Sequence, residues 1–329
     1  MSDFLVHVSA SVSQKLNRRF FLLMGASTLI ASACTRATKL DNQAANVTNT
    51  TVKHAFGETE IPTNPTRIIV WGYVTIEAVV AHGVQPIGVP NGVFDYMRHL
   101  SLDREIISEI GDPGQPNLEK MAALTPDLIL SSKYRVRENY PLLSQIAPTV
   151  VLNINSNHEW KELTRLCGEA LGKQAETEKL VAAYESKLQQ VRAQLSQKSK
   201  QSRVSIVSFS PGRIGAYGID TFAGTVLADV GILRPASQAQ AQGPQNISLE
   251  SLDLLDGDVI FIVTLQRKTE WGTEMRTEID RMQAQPLWSQ LKAVKTKQVY
   301  EVNSHWMIGS YLSADLILDD LLTYLVEHQ

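Results

Sequence analysis

Cysteine is almost missing from this chain of 329 residues, which has only Cys34 and Cys167. A fold stapled by several disulfides is excluded, and Cys167, in the helically spaced run ELTRLCGEALG, reads as a small core residue. Long apolar runs are missing too. The one near the N-terminus, Phe20 to Ile30, has 11 residues, whereas spanning a bilayer takes about 20. Catalytic signatures are equally scarce: no G-x-S-x-G, H-E-x-x-H or Walker loop occurs, and GRIGAYG lacks the glycine spacing of a dinucleotide loop. No His-rich loop exists, and His54, His82, His99, His158 and His305 are scattered, which argues against a site for a bare metal ion. None of this points to an enzyme.

What is present begins with an address. Arg18 and Arg19, followed by Phe20, Phe21 and Leu22, resemble a twin-arginine export signal, with Asn17 where Ser or Thr is usual. The sequence IASAC resembles the lipobox of bacterial lipoproteins, with Ala31 in the place that prefers Leu. Ala31-Ser32-Ala33 fits an ordinary small-x-small cleavage site equally well. Both routes cut before Cys34, and the lipobox route would lipidate it and hold the protein at a membrane on the periplasmic side. Residues 1–33 therefore read as an export signal peptide. Residues 34–51, small and polar without periodicity, read as a flexible tether with a reach of about 20–25 Å. Without residues 1–33, 28 basic residues face 33 acidic ones, a net charge of −5. A mildly acidic body argues against nucleic acid as a partner.

From residue 68 onward, short β-rich runs alternate with amphipathic stretches, as in a parallel α/β sheet: RIIVW then VTIEAVVAHG, PDLILSS then RVRENYPLLSQIA. Residues 52–156 make one lobe. The rhythm then changes: no proline occurs between His158 and Lys198, and Leu163, Leu166, Cys167, Ala170, Leu171, Leu180, Tyr184, Leu188, Val191 and Leu195 recur at helical spacing. Residues 157–200 are expected to be one long helix, or two nearly continuous ones bent at Gly172. The βα rhythm resumes over 201–329 in a second lobe. NLEKMAALTPDLIL (117–130) and SLESLDLLDGDVIF (248–261) align without a gap at an offset of 131. Leu118 matches Leu249, Glu119 matches Glu250, and Asp127 matches Asp258. The two lobes read as copies of one design.

Five stretches, HAFGETEIPTNPTRIIVWG, IEAVVAHGVQPIGVP, NLEKMAALTPDLILSS, ISLESLDLLDGDVIF and HWMIGSYLSADLILDDL, occur in the order seen in the periplasmic binding proteins of iron-siderophore and vitamin B12 importers. Nearly all of residues 52–329 resembles that family. The resemblance implies an α/β fold of the class III type: two lobes with central, mainly parallel sheets joined by one long rigid helix. It implies a solute-binding receptor that takes a ferric siderophore of hydroxamate or carboxylate type into the inter-lobe cleft. The receptor then delivers it to an inner-membrane ABC permease dimer, whose own subunits hydrolyse ATP. Such a receptor is a monomer that does no chemistry and needs no cofactor; the iron is held by the siderophore. Haem or cobalamin in the same fold is the alternative. By the same resemblance Glu119 and Glu250 dock into arginine pockets of the permease. Their other reading is stabilisation of two helix starts by a carboxylate.

Ligands of open α/β sheets bind beyond the carboxyl ends of the strands. Pro62 and Pro65 would stiffen the entry to the first central strand. Trp71 at its end is either a cleft wall or a core residue. The loops at these ends supply the other candidates: Tyr73, Tyr96, Arg98, Lys133, Tyr134, Arg135, Arg213, Tyr217, Arg267 and Trp306. Arginines collected there on an acidic protein suggest an anionic ligand, with the aromatic residues covering its apolar and π surface.

Overall fold

The computed structural model describes residues 48–136, 138–210, 212–241, 243–265 and 270–327. The expected export signal, Cys34, most of the expected tether and Arg267 lie outside the described residues. The first element is a hairpin of β1 (Asn49–His54) and β2 (Gly57–Pro62), with Asn49 opposite Pro62 and His54 opposite Gly57. It takes in residues 49–51, which the sequence reading gives to the tether. Thr50, Thr51 and Val52 are β-branched and suit a strand once a partner is beside them. Ala55 N–H donates to Val151 O at 2.8 Å, so the hairpin continues onto the edge of the first sheet.

That sheet is built from β3 (Ile68–Trp71), α1 (Tyr73–Ala81), β4 (Gly88–Val89), α2 (Val93–Tyr96) and β5 (Ser108–Glu109). A small hairpin follows, β6 (Gly111–Asp112) with β7 (Gln115–Pro116), then α3 (Leu118–Ala123), β8 (Leu128–Ser132), α4 (Lys133–Val136), α5 (Tyr140–Leu143) and β9 (Thr149–Leu152). The strand order is β5-β4-β3-β8-β9 and every pairing is parallel, with Ile69 opposite Ile129. The strands β3, β8 and β9 are buried along their whole length, as expected of a parallel sheet covered on both faces.

The helical stretch takes the second of its two expected forms. Helix α6 (Trp160–Ala170) and helix α7 (Gln174–Gln194) are separate, and between them Gly172 has φ +66°, a left-handed conformation that glycine adopts without strain. The break divides the labour. Leu163, Cys167, Ala170 and Leu171 join the first lobe's core, whereas Tyr184, Leu188, Val191 and Leu195 join the second's. His82 Nε2 and Thr177 Oγ1, 2.8 Å apart, tie the end of α1 to the start of α7.

The second lobe runs through α8 (Gln197–Gln201), β10 (Val204–Ser210), β11 (Arg213–Tyr217), α9 (Phe222–Val230), α10 (Ala236–Ala239) and β12 (Pro244–Ile247). A 3-10 helix (Leu249–Leu255), β13 (Val259–Val263), α11 (Glu270–Gln283), α12 (Pro286–Gln290), α13 (Lys292–Lys295), β14 (Val299–Val302) and α14 (Tyr311–Leu322) complete it. Its order is β12-β11-β10-β13-β14. Strands β10, β13 and β14 are parallel, and β11 is antiparallel to both of its neighbours.

The repeat seen in the sequence has a structural cause at its aspartates. Asp127 accepts from Thr66 N–H at 2.8 Å and Arg67 N–H at 3.0 Å, just before β3. Asp258 accepts from Arg203 N–H at 2.7 Å, just before β10. Each carboxylate thus fastens the start of a lobe's central strand to the strand beside it. Burial pushes the Asp258 carboxyl up, but the Arg203 N–H and the Lys292 ammonium outweigh it and hold the group below its ordinary value of 3.8. A carboxyl depressed by folding adds stability above its unfolded pKa and loses it as pH falls through the folded one. Asp258→Asn is expected to lower stability by about 1 kcal/mol at pH 7, and melting curves should show the gap closing as pH falls below about 3.8. A gap that stays constant from neutral to acid pH would contradict this role.

Candidate functional site

After β14 the chain crosses back to the first lobe. Ile308 is buried in that lobe's core, and Met307 packs against the cores of both lobes. Ser304 Oγ donates to Tyr96 O at 2.6 Å, and Asn157 Nδ2 donates to Met307 O at 3.0 Å. Beside this crossover lies Glu77 of α1, fully buried. Its carboxylate accepts from Ser313 Oγ of α14 and stands 3.1 Å from His99 Nε2. His99 meets the ring of His305, 6.1 Å between centroids. His305 Nε2 and Trp306 Nε1 both reach Asp320 Oδ2, at 2.9 and 2.7 Å. A buried carboxylate is costly unless paired; here its partners come from both lobes, so it fixes one against the other.

Over this joint the aromatic candidates converge. Tyr73, the first residue of α1, stacks on Tyr96 of α2 with centroids 5.1 Å apart and planes at 25°. Tyr73 Oη donates to Asn91 O at 3.1 Å, and Tyr96 Oη reaches Met307 Sδ at 3.4 Å. Burial pushes the Tyr73 phenol up, with Glu109 and Asp112 adding to it, and pushes the Tyr96 phenol well up. The Tyr96 phenol is raised further by Tyr217 and Tyr73, while the Arg135 guanidinium draws both Tyr73 and Tyr96 down. Tyr217, from the other lobe, is raised by burial and drawn down by its hydrogen bond with Ser208. Tyr73, Tyr96 and Arg135 from one lobe therefore share an electrostatic neighbourhood with Tyr217 from the other. Tyr73, Tyr96 and Arg135 follow the carboxyl ends of parallel strands, whereas Tyr217, buried at 8 % exposure in the second lobe's core, ends the antiparallel β11 and its hydroxyl reaches back toward the end of β10 through Ser208.

The remaining candidates are placed differently. Trp71 is a correction: it is 1 % exposed, packed with Ile69, Met121, Ile129 and Val151, and so a core residue rather than a wall. Trp306 is likewise buried, at 0 % exposure, against Phe261 at 4.5 Å and bonded to Asp320. Trp71 ends β3, whereas Trp306 lies in the 3-10 helix Ser304–Trp306 that follows β14, and both indoles turn into the core. Arg98 pairs with Asp95 at 2.9 Å in a separate hollow of about 260 Å³ beside Phe94 and Arg104. Arg213 lies at the turn between β10 and β11 with two nitrogens on Asn246 Oδ1, at 3.0 and 2.7 Å. Lys133 Nζ is 3.4 Å from Asn153 Oδ1, across the ends of β8 and β9. Tyr134 lies in α4, and its side chain is outside what the structure describes.

Glu119 and Glu250 are both exposed in the first turns of matching elements. Asn117 caps α3 by accepting from Lys120 N–H at 2.9 Å. In the second copy the Ser248 hydroxyl and the residue's own N–H hold the Glu250 carboxyl below its ordinary range, so it stays ionised at neutral pH. Sequence reasoning missed Glu77, Ser304 and Ser313. The available signal was one carboxylate in the apolar run IEAVVA, where only a partnered carboxylate is tolerated. Among the described residues no group of three or more His, Cys, Asp and Glu side chains is placed to hold a metal ion, and no helix is long and apolar enough to cross a membrane. A larger cavity, about 660 Å³, lies between Ser199, Asp258, Lys292 and Tyr324 at the opposite ends of the second sheet's strands, away from the aromatic group.

The family model for periplasmic binding proteins matches residues 68–305, from the first residue of β3 to the crossover after β14. The chain belongs to the periplasmic binding protein family. It is 30 % identical to the protein named Probable siderophore-binding lipoprotein YfiY of Bacillus subtilis (strain 168), over 96 % of this chain and 99 % of that one. It is also 30 % identical to the Achromobactin-binding periplasmic protein of Dickeya dadantii (strain 3937), over 78 % of this chain and 85 % of the other. The crystal structure of Staphylococcus aureus SirA complexed with staphyloferrin B superposes with a TM-score of 0.73 at 29 % identity, covering 84 % of this chain and 98 % of that one. In this binding protein the polar joint is expected to dominate lobe stability. Glu77→Ala should cost about 3–5 kcal/mol in urea unfolding, by stranding Ser313 and His99, against at most about 1 kcal/mol for Arg98→Ala, whose ion pair is exposed. Equal losses in the two variants would show that the carboxylate does not hold the lobes.

Proposed function

We propose that this binding protein captures a ferric siderophore in the cleft between its lobes and passes it to the permease of an ABC importer. The observation that carries the reading is the set Tyr73, Tyr96, Arg135 and Tyr217: π surface and one cation, drawn from both lobes, at the end of the sheets where α/β proteins take ligands. Arginine grips anionic groups and aromatic faces cover the chelate. The names of YfiY, a probable siderophore-binding lipoprotein, and of the achromobactin-binding Dickeya protein support this cargo. The iron is cargo held by its chelator, and the protein supplies shape and charge without chemistry or a cofactor of its own. The word lipoprotein in the name of YfiY, similar along 96 % of this chain, supports lipidation at Cys34 and a place on the periplasmic side of a membrane. Glu119 and Glu250, exposed at equivalent positions of the two lobes, are the groups offered to the permease, and the receptor acts as a monomer.

Intrinsic fluorescence of the mature protein, titrated with ferric carboxylate, hydroxamate and catecholate chelates, haem and cobalamin, tests the cargo. Saturable quenching by a ferric chelate and not by its iron-free form is expected, weakened about tenfold or more in Arg135→Ala by loss of a charge-assisted contact. Saturation by haem or cobalamin alone would overturn the siderophore reading. Glu119→Ala/Glu250→Ala should bind the chelate as the parent does yet fail to support uptake into vesicles carrying the permease; full uptake by that double variant would remove the two glutamates from docking.

A further inference from the structure

The first turn of α1 opens beside groups that the fold leaves unsatisfied. Its N-cap, Gly72, has φ +134° and no side chain to cap the helix, and the leading N–H groups of a helix have no partners within it. A methyl group built on Gly72 would stand 3.6 Å from Thr75 Oγ1, 3.9 Å from Ser132 Oγ and 3.5 Å from Arg135 Cγ. Thr75 and Ser132 are each 0 % exposed, and neither hydroxyl has a hydrogen-bond partner. Only five buried side-chain polar atoms among the described residues lack one, and the two hydroxyls in that set meet here. Other buried hydroxyls are satisfied: Ser131, beside Ser132 on β8, donates to Trp71 O, and Thr164 of α6 to Trp160 O at 2.9 Å. A buried donor without an acceptor is costly to keep, so two of them at one uncapped helix start mark a place that an acceptor fills.

We propose that the start of α1 is a carboxylate subsite. One carboxylate arm of the chelate accepts from the first-turn N–H groups and from the Thr75 and Ser132 hydroxyls, and Arg135 closes over it. The side chains nearest the spot are the two hydroxyls and the Arg135 stem, and the positive end of the helix favours an anion there; the Glu109 and Asp112 carboxylates act on Tyr73 against it. Arg135 is exposed, so the cover is a surface side chain rather than backbone. Tyr73, at the first position of the same helix, brings the subsite against the aromatic wall. Hydroxamate and catecholate oxygens are taken up by the iron, whereas citrate-type chelators keep acceptor oxygens on their carboxylates. The subsite rests on the ferric-chelate reading of the cleft and deepens it by naming the carboxylate class.

The mature protein and its Thr75→Val, Ser132→Ala and double variants would be titrated with iron(III) citrate, iron(III) staphyloferrin B and iron(III) desferrioxamine B, the last a trihydroxamate without a carboxylate. Melting temperatures would be recorded without ligand. The wild type is expected to bind a carboxylate chelate, each single variant about tenfold more weakly and the double variant about a hundredfold. The ligand-free melting temperature should stay level or rise, because a stranded hydroxyl has gone. Equal affinity in the double variant, or a melting temperature that falls with each hydroxyl removed, would overturn the subsite. Binding of the trihydroxamate alone would also overturn it while leaving the ferric-chelate reading intact, and binding of no ferric chelate by the wild type would overturn both.

Discussion

The placement of the two lobes depends on the buried carboxylate of Glu77, held by Ser313 from one side and His99 from the other. The aromatic wall takes Tyr73 and Tyr96 from the first lobe and Tyr217 from the second, and Met307 of the crossover touches Tyr96. Their spacing is set by how firmly the lobes are joined. Two connections do this: the α6–α7 pair, broken at Gly172, and the crossover with Ile308 sunk into the first core. A joint made from buried polar groups and a core residue permits little closure, so recognition relies on a surface that exists before the ligand arrives.

The parallel sheets explain why residues far apart in sequence meet. When neighbouring strands run the same way, the loops that follow them lie at one end, and each loop delivers its side chains and helix starts to the same place. Residues 71–75, 91–97 and 131–135 come together by this rule, and the joint between the lobes adds 304–307 from the second sheet. The opposite ends of the strands receive Asp127 and Asp258, which fasten the sheet and leave the cleft end free for recognition.

Much of this architecture was readable from the residues. The switch between strand and helix periods marked the lobes, and the offset repeat marked the paired elements because Asp127 and Asp258 do the same job twice. Residue type did not reveal facing. Trp71, the last residue of β3, and Trp306, in the 3-10 turn after β14, look like cleft aromatics, yet each side chain turns inward; for Trp71 the facing depends on a strand register that the sequence does not display. Thr50 and Thr51 read as tether because their strand partner lies across a turn. Glu77 was missed although it is a carboxylate in an apolar run, because its partner Ser313 lies 236 positions away and only packing brings them together. Thr75 and Ser132 carried no signal at all, since an unsatisfied hydroxyl becomes visible only when its surroundings are known.

The most direct test of the central claim is a crystal structure of the mature protein with a ferric siderophore, with the iron located by its anomalous scattering. Iron between Tyr96 and Arg135 on one side and Tyr217 on the other, with the Glu77–Ser313 contact intact, is the result this account predicts. Iron in the distal hollow beside Asp258 and Lys292, or lobes parted at Glu77, would contradict it.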